Sequence, residues 1–183
     1  RHHLGRRQRK AGGGFLPPNE GTTTLLQVAK KRPIDHDLLQ RFVDAGVNLH
    51  AGDLWLYGTQ KMVSGSPVQA AARAADARAL ELLLAAGART TPFHDWSMGR
   101  PTTLADEVIS AYTYAIPYEN KAAALRVVMR HGVRPMDTEG GILFALQADD
   151  AGLLRELFDH LTDTPGSSRD PSHWLRIACR RYA

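Results

Sequence analysis

The stretch Ser66 to Gly87, SPVQAAARAADARALELLLAAG, constrains this chain more than any other, because it carries two helix starts and a helix stop within one short unit. Ser66 can accept from free amide groups, and Pro67 is tolerated at a first helical position. Ala71 and Ala72 leave room for a close neighbour, Asp76 offers a second cap, and Leu80, Leu83 and Leu84 fall on one face of the second helix. Gly87 can close that helix in the left-handed conformation without a Cβ clash. Two helices this short cannot bury their apolar faces alone, so the unit calls for stacked copies of itself.

Weaker copies follow. First-helix starts recur at Thr23, Thr102, Gly140 and Ser172 around the Ser66 unit, at spacings of 43, 36, 38 and 32 residues. Leu39, Phe42 and Val43, then Leu125, Val128 and Met129, then Leu154, Leu157 and Phe158, occupy the slots of Leu80, Leu83 and Leu84. Asp35 and Asp150 repeat the Asp76 cap slot, Asn120 falls one position from it, and closing glycines recur at Gly46 and Gly132. Capping, core pattern and stop signals agree without being fitted separately. The Ser66 to Gly87 unit resembles an ankyrin repeat, with its Thr-Pro-Leu-His start, alanine pair, Leu-Leu run and terminal Gly. Tetratricopeptide repeats compete at a similar period but do not call for a glycine stop followed by an extended hairpin.

The resemblance implies an all-α, ankyrin-type helical solenoid with extended hairpin loops. It divides the chain into a basic flexible arm over residues 1–21, four degenerate repeats over 22–171, and a half-repeat capping helix over 172–183. The copies depart from the pattern. Repeat one has Thr24 for the proline and Val28-Ala29 for the alanine pair, repeat three has Glu107-Val108, and repeat four has Leu161 where glycine belongs. Trp174, Ile177 and Ala178 share one face of the last helix, which is expected to lie on repeat four as a cap.

Composition narrows the class further. The chain has 183 residues, 43% of them hydrophobic, which is enough for a core, and its single cysteine, Cys179, cannot form an internal disulfide. A reducing, cytoplasmic setting is the expectation. No apolar run reaches the roughly 18 residues of a spanning helix, so no membrane role is expected. The net charge of +4 suggests an anionic partner until its placement is considered. Arg1, Arg6, Arg7, Arg9 and Lys10 lie in residues 1–14 with no acid, leaving the body close to neutral. Gly12 to Gly14 and Pro17-Pro18 then read as a hinge. The chain opens on arginine rather than methionine, which suggests trimming, so its first residues carry little weight.

The extra length sits between the helices and is aromatic. One hairpin holds Trp55 and Tyr57, the next holds Phe93, Trp96 and Met98, and the inter-helix segment of repeat three holds Tyr112, Tyr114 and Tyr118, with Pro117 breaking the helix before Asn120 restarts it. Surface loops rich in Tyr and Trp are where protein partners anchor. These eight residues are the candidate partner-binding set, and the competing reading is that irregular hairpins fold their aromatics back as a local core.

Catalytic and metal chemistry find no constellation. There is no Gly-rich phosphate loop, no Gly-x-Ser-x-Gly elbow and no His-Glu-x-x-His. His36, His50, His94, His131 and His160 are scattered, with none at zinc-ligand spacing. Asp106-Glu107 and Asp149-Asp150 read as caps or exposed acids. Lys30, Lys31 and Arg32 form the compact basic run of the body, at the turn between the repeat-one helices. No catalytic residue, cofactor or metal ligand is therefore assigned. The expectation is a non-catalytic module that holds or occludes another protein and is monomeric when unbound. Two alternatives are a dedicated immunity protein or inhibitor of one cognate toxin, and a nucleic-acid-associated adaptor using the basic arm, against which the near-neutral body argues.

Overall fold

The computed structural model describes residues 8–9, 15–16, 22–50, 53–57, 60–95, 100–111, 116–161, 172 and 176. Among these are eight helices: α1 (Thr22–Lys30), α2 (His36–Asp44), α3 (Pro67–Arg73), α4 (Ala77–Ala85), α5 (Leu104–Ile109), α6 (Tyr118–Arg130), α7 (Thr138–Gln147) and α8 (Ala151–Leu161). The fold is all-α in its core. Among the described residues, strands occur as three two-stranded antiparallel hairpins: β1 (Gln8–Arg9) with β2 (Phe15–Leu16), β3 (Asp53–Tyr57) with β4 (Gln60–Ser64), and β5 (Phe93–Asp95) with β6 (Arg100–Thr102).

The helices pair in chain order, α1 with α2, α3 with α4, α5 with α6 and α7 with α8. The pairs also contact one another in order, α1 on α3, α3 on α5 and α5 on α7, with α2 on α4 and α4 on α6. A contiguous cluster runs through all four pairs, from Leu25 through Leu39, Leu80, Leu83, Leu104, Leu125 and Val128 to Leu153 and Leu157. Ala71, Ala72, Ala79 and Ala124 are fully buried within it, small enough to let neighbouring helices approach.

Local signals explain most boundaries. Asp35 accepts from the Leu38 amide, Asp76 from Ala79 and Asp150 from Leu153, so the three aspartates start α2, α4 and α8 as their spacing predicts. Gly46, Gly87 and Gly132 follow α2, α4 and α6 with φ of +66°, +85° and +77°, the left-handed stop the repeat pattern requires. Ser66 caps α3 reciprocally: its hydroxyl accepts from the Gln69 amide, while Gln69 Oε1 accepts from the Ser66 and Gly65 amides at 2.9 Å each.

The first-helix register needs correction in three repeats, and in the first of them α1 begins at Thr22, so Thr23 lies inside the helix rather than at its cap. The cap of α5 is Thr103 rather than Thr102, since its hydroxyl has an acid three residues on, and Thr103 and Asp106 close the same reciprocal box as Ser66 and Gln69. The alanine-pair slot therefore falls on Val108-Ile109 instead of Glu107-Val108. The cap of α7 is Asp137, three residues before Gly140, and it accepts from the Gly140 amide. A Cβ on residue 140 would lie 3.0 Å from the Asp137 carboxyl carbon, so glycine there makes room for the cap. Asn120 is not the start of α6. That helix begins at Tyr118 after Pro117, with no side-chain cap bond. In α8, Leu153 and Leu157 are the buried residues, whereas Leu154 and Phe158 are half-buried and pack against Ile142.

Candidate partner-binding edge

The hairpins adjoin one another along the chain. In the longer one, Trp55 lies opposite Met62 and Tyr57 opposite Gln60; in the shorter, Phe93 lies opposite Thr102. Strand β4 lies against β5, and β1 against β3, so the three hairpins adjoin although each keeps its own ladder. Trp55, Tyr57 and Phe93 thus sit on neighbouring hairpins as the sequence places them. Trp96, Met98, Tyr112 and Tyr114 lie outside the described residues. Within the predicted N-terminal arm, Gln8–Arg9 is hydrogen-bonded back onto Phe15–Leu16.

Tyr118 is placed differently from a hairpin residue. Its ring lies 4.7 Å from that of Phe144 in α7, and its hydroxyl reaches Asp150 at 3.3 Å. Burial first, then the Asp150 carboxylate, push its phenol up to about 12. The contacts of Tyr118 thus link α6 to α7 and α8.

Between α6 and α7, where the other repeats carry hairpins, runs the short connection Val133 to Asp137. Met136 on it is 55% exposed, the more exposed of the two large apolar side chains open to solvent among the described residues. Asp106 of α5 holds this connection in place. Its carboxylate accepts from the Thr103 amide and hydroxyl at 2.9 and 2.8 Å, and from the Met136 and Asp137 amides at 3.2 and 3.0 Å. Sequence reasoning read Asp106 as a cap or exposed acid and missed its bonds to the Met136 and Asp137 amides, and it did not single out Met136. The Thr103-x-x-Asp106 spacing, which copies Ser66-x-x-Gln69, was the available signal for the acid; Met136 carried none.

Other faces are committed to the fold. On the second-helix side, His36 Nε2 meets both Asp76 oxygens at 2.9 Å, linking α2 to the start of α4. Glu81 of α4 takes Arg130 and His131 at the end of α6, at 2.9 and 3.2 Å. Those two bonds, His131 first, hold the Glu81 carboxyl below the usual carboxylate range. Arg126 joins α6 to Asp150 at 2.9 Å and to Glu156 at 3.3 Å. The Leu153 amide and then Arg126 lower the Asp150 carboxyl, against the opposing effect of its burial. Such partly exposed pairs each contribute little, on the order of 0–1 kcal/mol, but together they occupy this face.

Of the first helices, α3 and α5 offer little open surface. Pro67 to Ala72 and Leu104 to Val108 are all buried, and Arg73 is the exposed member of α3. Asp106 and Glu107 are therefore neither exposed nor paired for acid-base chemistry: Glu107 is buried and takes Arg73 through two bonds, at 2.8 and 2.9 Å. The basic run is also partly spoken for. Arg32 donates to the Ala29, Lys31 and Ala70 carbonyls, at the C-terminal ends of α1 and α3 where a cation is favoured. Desolvation lowers its guanidinium.

No three histidine, cysteine or acidic side chains gather at a metal-binding distance among the described residues, and no helix among them is long and apolar enough to cross a membrane. Compared with protein-family models, curated proteins and solved structures, the chain matches none. The hairpin edge with Met136 is therefore the candidate site on physical grounds alone.

Proposed function

We propose that this chain is an ankyrin-type solenoid that binds another protein, without catalysis, through its hairpin edge. The observation that carries the reading is the pairwise order of the helices combined with adjoining hairpins. Two of the three aromatic insertions fall on hairpins that lie next to each other through β4 and β5, while the third reaches into the start of α6. Loops held by a rigid scaffold are where recognition residues concentrate. Ion pairs tie the second helices together across repeats, and α3 and α5 are buried, so the reading places the partner on the hairpins and the Met136 connection. A partner held by a standard interface would bury about 1,600 Å² in total.

The test is retention of proteins from lysate of the source by four baits: the natural chain, Trp55→Ala/Trp96→Ala, Met136→Asp, and Arg78→Ala as a control on the exposed second-helix face. Circular dichroism checks that each bait is folded. One dominant protein retained by the natural chain and by Arg78→Ala, and lost from the other two, is expected. Retention by both hairpin-edge variants would overturn the assignment of the edge. Absence of any dominant protein with the natural chain would overturn the binding role.

A further inference from the structure

Between α6 and α7 an exposed thioether stands on a backbone that is tied down on both sides of it. Val133 is buried, and its amide donates to the Val128 carbonyl at 3.2 Å, which closes the end of α6. Pro135 lies against α7, its Cγ 3.6 Å from where a Cβ on Gly141 would stand. The Met136 amide donates to Asp106 Oδ2 and the Asp137 amide to Oδ1, and Asp137 in turn caps α7 by accepting from the Gly140 amide at 2.9 Å. Between these anchors the Met136 side chain is half in water, whereas Met129 of α6 is buried in the main core. A thioether that water reaches is open to two-electron oxidants, and one inside a close-packed core is shielded from them.

We propose that Met136 is an oxidation site at which a hydroperoxide turns an apolar contact polar while the helical stack stays folded, and so releases a bound partner. The release rests on the binding role proposed above. In the reaction the sulfur lone pair attacks the terminal oxygen of the hydroperoxide. An S–O bond forms as the O–O bond breaks, and the hydroxyl proton passes to the departing oxygen, which leaves as water or an alcohol. Sulfur loses two electrons and the peroxide gains them. The product carries a polar S=O where the side chain had offered only carbon and a weakly accepting sulfur. A partner that covers Met136 would have to strip water from that oxygen with no donor placed for it, which costs affinity. The fold is insulated from the change, because Asp106 grips the backbone amides of residues 136 and 137 rather than the side chain. Met136 also lies outside the buried clusters formed by the described residues.

The full chain is treated briefly with hydrogen peroxide, and sulfoxide formation is followed at each methionine by mass spectrometry of its peptides. Met136 is expected to oxidise at least ten-fold faster than Met129, with amide exchange in α6 and α7 changed less than two-fold. Equal rates at the two residues, or exchange in α7 speeded ten-fold, would overturn the site. Treated and untreated chains are then compared for retention of protein from lysate of the source. Beside them stand Met136→Leu, which cannot form a sulfoxide, and Met136→Gln, which carries a polar oxygen without any peroxide. Treatment is expected to lower retention of the dominant protein at least five-fold in the natural chain and to leave Met136→Leu unchanged, while untreated Met136→Gln is as low as the oxidised chain. Retention unaffected by treatment, or lost equally from treated Met136→Leu, would overturn the proposal and leave the binding role standing. Absence of any dominant protein on the untreated chain would instead overturn the binding role, and the release with it.

Discussion

Replacing Asp106 asks whether one buried carboxylate joins the third helical pair to the fourth. Its Oδ2 accepts from the Thr103 amide, the Thr103 hydroxyl and the Met136 amide, and its Oδ1 accepts from the Asp137 amide. In Asp106→Asn an oxygen placed at the first site keeps three of these bonds, but the new NH2 then points at the Asp137 N–H, donor against donor. One lost bond and one unsatisfied amide amount to about 1–2 kcal/mol. Asp106→Ala removes all four. The buried Thr103 amide then costs about 1–3 kcal/mol, while water can reach the Met136 and Asp137 amides, so the total is about 2–4 kcal/mol. Urea unfolding followed by circular dichroism measures both values, and amide exchange reads Met136 and Asp137 individually. Those two amides should exchange faster in Asp106→Asn even where global stability barely moves. Gln69→Ala, which orphans the Gly65 and Ser66 amides, is the comparison within α3 and should leave residues 136 and 137 unchanged. A stability for Asp106→Ala within 0.5 kcal/mol of the natural chain would refute the argument.

Two other outcomes follow from the same contacts. Gly87→Ala should cost about 1 kcal/mol in urea unfolding from backbone conformation alone, because φ is +85° and an added Cβ meets nothing within 4 Å; no measurable cost would mean that the α4 stop does not need the left-handed state. Stability should vary with pH at both ends. The lowered Asp150 and Glu81 carboxyls contribute stability that is present above the ordinary carboxylate range and lost as pH falls through their folded values, whereas Tyr118, raised to about 12, contributes stability lost between about pH 10 and 12. Asp150→Asn should flatten the acid limb and Tyr118→Phe the alkaline limb; an unchanged urea midpoint profile in either variant would contradict the assignment.

Much of the helical pattern was legible because its signals are local. A cap aspartate, an apolar stripe at helical spacing and a glycine stop act within one or two turns, so Asp35, Asp76 and Asp150, and Gly46, Gly87 and Gly132, could be placed before any contact was known. The start of α5 was misplaced where two threonines competed for one cap, and that of α7 because its cap acid lies three residues before the glycine that fits the repeat slot. Thr103 prevailed over Thr102 because Asp106 lies at the spacing that closes a reciprocal box, and Asp137 prevailed because Gly140 leaves space for its carboxyl. The hairpins that hold Trp55, Tyr57 and Phe93 were likewise readable, from chain length in excess of the repeat unit.

What the amino-acid order determined by itself is therefore the helix pairs, their stops and the places where extra chain was inserted, since each depends on neighbours a few residues apart. Tertiary structure decided which surfaces remain available. Burial of Pro67 to Ala72 and of Leu104 to Val108, the commitment of Glu107 to Arg73, and the bond from Tyr118 to Asp150 join residues 32 to 34 positions apart or depend on whole neighbouring helices. Met136 became visible for the same reason: its exposure depends on a buried carboxylate 30 residues earlier that holds its backbone. Exposure is a property of the packed assembly, and no local pattern encodes it.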